Sequence, residues 1–162
     1  MNAPMRFAKG AAAGLIATAP MTAVMLGWHR KLPWWQRDSL PPSKLTARIL
    51  RAVGLKKLDD EAHEPLTWIS HFGYGAASGA LFPLAESLMR DLPPPIHAKG
   101  VVYGLLIWTG SYLGWIPAVG LLEPATEHPK QRNMLMIAAH LVWGATMAAL
   151  YGMWRDNEQK GG

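Results

Sequence analysis

Apolar residues in this chain gather into four long runs, 7–28, 66–89, 96–117 and 133–154, separated by stretches rich in charge and proline. Each run is close to the ~20 residues a helix needs to cross a bilayer, so the pattern predicts an all-α fold, a bundle of four transmembrane helices. The first connection carries a second pattern at 43–54. There Leu45, Ile49, Leu50 and Val53 share one face and Lys44, Arg48 and Arg51 the other. This spacing predicts a short amphipathic helix with Ser43 as its N-cap and Gly54 as its stop. Lying flat at the interface, it would hold its basic face against anionic head groups. The same periodicity suits equally well a helix packed over the mouth of the bundle with its charged face in water.

The runs also repeat one another. "HFGYGAASGALF" at 71–82 returns as "HLVWGATMAALY" at 140–151, and "AKGAAAGL" at 8–15 returns as "AKGVVYGL" at 98–105. A weaker match, "LGW" at 26–28 and 113–115, needs a three-residue gap. The unit is a two-helix hairpin present twice, at 7–89 and 96–154, within a single membrane domain over 1–162. Two even-numbered units enter the membrane from the same side, as parallel repeats about a pseudo-twofold along its normal. The copy of the first run's opening inside the chain also argues that this run is not a cleaved secretory signal.

Small residues recur at spacing four within the runs: Gly10 and Gly14, Gly75 and Gly79, Gly100 and Gly104, Gly144 and Ala148. Such stripes let helix backbones approach closely in lipid. His71 and His140 each stand four residues before a stripe glycine, which directs them toward protein, where an intramembrane ionisable group belongs. At 1.5 Å per residue they lie roughly 8 and 10 Å inside the same membrane edge, and Thr22 and Ser111 fall at about that depth on the other two runs. The pattern predicts a polar layer of His71, His140, Thr22 and Ser111 beneath a shallow cavity. The apolar terminal half argues against a continuous polar path.

Composition narrows the chemistry. With no cysteine among 162 residues, disulfides, thiolate nucleophiles and thiolate-bound metals are excluded. The net charge of +5 comes from basic residues that flank apolar runs, which points to lipid and not to nucleic acid. Ten Lys and Arg lie in the first and third connections and six at the termini and middle loop, so the positive-inside rule places both termini outside. The methionines, Met21, Met25, Met134, Met136 and Met147 among them, are read as packing residues.

Two resemblances bear on function. "ASGALF" (77–82) and "AHLVWG" (139–144) resemble the serine and histidine segments of rhomboid intramembrane proteases, but Ala76 stands where that motif wants glycine. Ser78 would also lie about 10 Å deeper than His140, against the ~3 Å a nucleophile and its base require. More extensively, "GLIATAPMTAVML", the "LPP" of the first connection and "YGLLIWTGSYLGWIPAVGLLEPATEHPKQRNMLMIAAHLVWG" (103–144) resemble the YagU-like bacterial inner-membrane proteins of unknown function. That resemblance implies a multi-pass protein of the bacterial cytoplasmic membrane and supplies no catalytic residues. The leading expectation is a non-enzymatic structural or accessory membrane protein without cofactor, alone, as a homo-oligomer or within a larger membrane complex. A small permeation or transport module using the histidine pair is the alternative. The third reading is a b-type haem or metal site on His71 and His140.

Overall fold

The computed structural model describes residues 2–31, 41–52, 60–93 and 95–161, and the structural statements below concern these residues. They are all-helical, with no strand. Helix α1 spans Ala3–His29, α2 Pro41–Ala52, α3 Asp60–Leu88, α4 Ile96–Thr109, α5 Ile116–Ala118 and α6 Lys130–Gly161. Between α4 and α5 the chain makes a π-helical turn, Gly110–Trp115, and a 3₁₀ turn at Ala125–Glu127 precedes α6. Helix α1 opens with Asn2 as N-cap, its side chain accepting from the Met5 N–H at 3.0 Å, which satisfies one of the donors a helix start leaves free.

Three segments are long and apolar enough to cross a membrane: Ala3–His29, Ile96–Ala118 and Lys130–Asn157. Helix α3, at 29 residues, is long enough, but Ser70, His71, Ser78, Pro83 and three glycines dilute its apolar character. Composition alone therefore singles out three crossings where the run pattern predicts four.

Helices α1, α3, α4 and α6 pack as a bundle in which each long helix runs antiparallel to its neighbours. Thr22 meets His71 while Gly10 meets Gly79, which fixes α1 against α3. Gly104 meets His140 while Gly100 meets Ala148, which fixes α4 against α6. Arg6 reaches Tyr151 while Trp143 reaches Gly14, which closes α6 onto α1. Between α3 and α4, Tyr103 donates to the Ser78 carbonyl at 2.7 Å.

The stripe residues sit where backbones nearly touch. A Cβ on Gly14 would run into the Gly75 carbonyl and stand 2.8 Å from Gly79 Cα, and one on Gly144 would run into the Gly100 carbonyl. These are backbone atoms that no rotamer change can move. Pro83 reinforces the α1–α3 seam by removing the helix donor that Gly79 O would have received, and that carbonyl faces Gly10 instead. A Cα–H···O contact of this kind recurs at close helix interfaces.

Several details differ from the sequence expectation. Helix α2 begins at Pro41, so Ser43 lies inside its first turn and is not the N-cap. Proline tolerates the first helical positions because its missing N–H is unneeded there. The expected stop at Gly54, with Val53, lies outside the described residues. The two "LGW" triplets occupy different backbones: Leu26, Gly27 and Trp28 end a regular helix, whereas Leu113, Gly114 and Trp115 close the π turn, kinked at Gly114.

Candidate functional site

A cavity of about 180 Å³ opens between the four long helices, at the end of the bundle away from the chain termini. Its wall is mostly apolar, including Met21, Ile107, Leu122, Met136 and Trp143, with His71, Tyr74, Ser111 and His140 as its main polar groups. Among the described residues no carboxylate and no amino or guanidinium group lines it. Helix α2 covers it with Pro42, Leu45 and Ile49, held by a 2.9 Å hydrogen bond between the Thr46 and Ser70 hydroxyls. Arg48 is exposed and donates to the Gly120 carbonyl at 3.4 Å. The amphipathic helix thus packs over the bundle mouth with its apolar face down. Of its expected basic face only Arg48 is visible, since the Lys44 and Arg51 side chains lie outside the described residues.

The hydrogen bonds around the two histidines constrain their protons. The Thr22 hydroxyl lies 2.7 Å from the Thr18 carbonyl and 3.2 Å from His71 Nε2, and its one proton serves one of the two. A neutral His71 therefore either donates from Nε2 and presents Nδ1 as an acceptor, or accepts at Nε2 and presents an Nδ1–H. His140 Nδ1 lies 2.7 Å from the Met136 carbonyl, an acceptor, so Nδ1 holds the proton and Nε2 is free. Two ring nitrogens, His71 Nδ1 and His140 Nε2, neither with a protein partner among the described residues, thus belong to rings lining one cavity.

The predicted layer is rearranged in two respects. His140 bonds a carbonyl of its own helix and no hydroxyl of a neighbouring one. Ser111 bonds the Tyr74 hydroxyl at 2.7 Å and neither histidine. Tyr112 takes the expected place beside His140, its ring edge-on at 6.0 Å between centroids. A signal for Tyr112 existed: carrying the Lys9/Lys99 register forward without the gap pairs Thr22 with Tyr112. Depth counted back from the ends of the runs selected Ser111 in its place. The π turn presents both residues, because Ser111 and Tyr112 are its buried members, and such wide turns recur at functional positions.

Toward the termini the bundle is filled. Phe82 packs edge-on against Tyr103 and Tyr151 at centroid distances of 5.3 and 5.6 Å, and all three are buried. Beyond them Glu86 of α3 pairs with Arg6 of α1 at 3.5 Å and Arg155 of α6 at 3.1 Å. Lys9 donates to the Trp154 carbonyl at 3.0 Å. Ser78 borders the cavity, but among the described residues no hydrogen bond joins it to His140. Nor does any cluster of three or more His, Asp or Glu side chains suited to a metal ion occur among them.

A family model described as a family of unknown function, DUF6789, matches residues 5–161. The chain belongs to the DUF6789 family. The match covers both glycine seams and every residue of the cavity wall. It does not extend to a YagU-like membership. No curated protein and no solved structure matches the chain.

Proposed function

We propose that this DUF6789 protein is a non-enzymatic accessory protein of the bacterial inner membrane, crossing it four times, and that it holds a small, largely apolar molecule between His71 and His140. The observation carrying this reading is the cavity itself: partly enclosed, apolar, closed toward the termini and furnished with two ring nitrogens that have no partner among the described residues. An apolar cavity of about 150 Å³ in an engineered protein stays dry and binds benzene, so 180 Å³ suits one substituted six-membered ring.

Support for four crossings comes from the antiparallel packing, because α3 lies alongside three spanning segments and turns Ile69, Leu81 and Leu88 outward, 68%, 53% and 88% exposed. Support for a duplicated hairpin comes from the two glycine seams, Gly10 and Gly14 on Gly75 and Gly79, and Gly100 and Gly104 on Gly144 and Ala148. A permeation pathway is disfavoured by the Phe82–Tyr103–Tyr151 plug. Haem is disfavoured because four linked pyrrole rings exceed the cavity and His71 commits Nε2 to Thr22.

The test is thermal unfolding of the purified protein in mild detergent with and without toluene. Toluene raises the midpoint of the wild type and leaves Ile107→Trp, which fills the cavity, unmoved. Equal shifts in both, or none in either, would overturn the binding role.

A further inference from the structure

The chemistry of the wall narrows the ligand further, and the narrowing rests on the binding role proposed above. His140 Nε2 is an acceptor, so it rewards a ligand that donates, and His71 Nδ1 accepts or donates according to its tautomer, either of which a hydroxyl satisfies. Apolar rings alone leave these nitrogens stranded, a recurrent penalty for buried polar groups. A ring carrying hydroxyl groups satisfies them, and the cavity volume restricts it to one ring. The Tyr74–Ser111 pair adds a polar contact of its own: one hydroxyl proton joins the two residues at 2.7 Å, and the second is left for another acceptor.

The surface beside the cavity points to a route of entry. On the outer side of Tyr74 and Ser111 a groove runs between α3 and α4, and Tyr74, Ser78, Ile107, Ser111 and Trp115 line both groove and cavity. The groove continues over Ala77, Leu81 and Leu106, with no charged residue along it among the described residues. Leu81 and Leu106 are more than half exposed, on the face that a bilayer would cover. At the opposite side α2 closes the cavity toward the connections. The residues shared by groove and cavity form a wall one side chain thick, so the shortest way from the cavity to the lipid-facing surface passes between α3 and α4.

We infer that the cavity takes the ring of a lipid-soluble hydroxy-aromatic compound, a phenol or hydroquinone carrying a hydrocarbon tail, and that the tail leaves between α3 and α4. One ring hydroxyl donates to His140 Nε2 and another bonds His71 Nδ1. No bond is made or broken, and the protein stores or presents the compound.

Four probes test this on the full chain in nanodiscs, followed by quenching of Trp115 and Trp143 fluorescence: decylhydroquinone, its oxidised quinone, decylbenzene, and hydroquinone without a tail. Decylhydroquinone binds about tenfold more tightly than decylbenzene, the value of one to two net hydrogen bonds, and more tightly than the quinone, which has no proton to donate. His71→Leu with His140→Leu removes that preference while decylbenzene still binds, which shows the variant folded. Ala77→Trp, at an exposed position in the groove, weakens the tailed probe and spares the tail-less one. Equal binding of decylbenzene and decylhydroquinone overturns the donor requirement. Tail-less hydroquinone binding as tightly as the tailed form overturns entry from lipid and makes the ligand a free phenol. Should toluene stabilise the protein while hydroxylation adds nothing, this inference fails alone; should toluene fail too, the binding role falls with it.

Discussion

His71 and His140 hold equivalent places in the two sequence copies, yet their hydrogen bonds differ in kind. His71 ties α3 to α1 through Thr22, whereas His140 turns back on Met136 of its own helix. The Met136 carbonyl already receives the helical N–H of His140, so losing the ring donor leaves nothing orphaned. His71→Leu removes a tie between helices, worth about 0.6 kcal/mol on average in a membrane. Unfolding in mixed micelles should therefore rank His71→Leu as mildly destabilising, by up to about 1 kcal/mol, and His140→Leu as closer to neutral. His71→Gln, which keeps a donor for Thr22, should match wild type. A loss of several kcal/mol in either Leu variant would mean that the rings carry structural bonds beyond those described.

At the scale of elements, the glycine seams decide how closely the helices approach. A Cβ on Gly79 would collide with the Gly10 carbonyl and stand 2.7 Å from Gly14 Cα, while one on Gly73 of the same helix meets nothing. Gly79→Ala should destabilise by about 1–3 kcal/mol through overpacking, and Gly73→Ala should be neutral or stabilise by about 0.4–1 kcal/mol through the unfolded chain. Equal effects in the two variants would show that the seam does not hold α1 on α3. These seams were legible in the sequence because a four-residue stripe of small residues has one physical use in a long apolar helix. The face of α2 was legible for the same reason of period, although both of its docking modes fitted until Thr46 was seen on Ser70. The π turn was not legible: "GSYLGW" has no composition that separates a wide turn from a regular one, and the widened turn buries Ser111 and Tyr112. Glu86 escaped notice because a lone carboxylate near a helix end resembles a boundary, and its role appears only once Arg6 and Arg155 converge on it from other helices.

For the whole molecule, the central claim is that four antiparallel helices cross the membrane and enclose the cavity between them. Helix α3 is the element in question, since it carries His71, Tyr74 and Ser78 of the cavity wall and is the long helix without a stretch apolar enough by composition to mark a crossing. Alternation of direction makes the claim testable: four crossings return the chain to the side from which it began, and three do not. The absence of cysteine from the sequence makes single-cysteine labelling in intact cells the most direct measurement. With an impermeant thiol reagent applied from outside, Asn2→Cys and Asn157→Cys should both label, and Glu127→Cys, before α6, should label only after the membrane is opened. Reversal of all three would invert the orientation and keep the bundle, whereas labelling of Asn2→Cys and Asn157→Cys from opposite sides would contradict four crossings and remove α3, with its histidine, from the membrane.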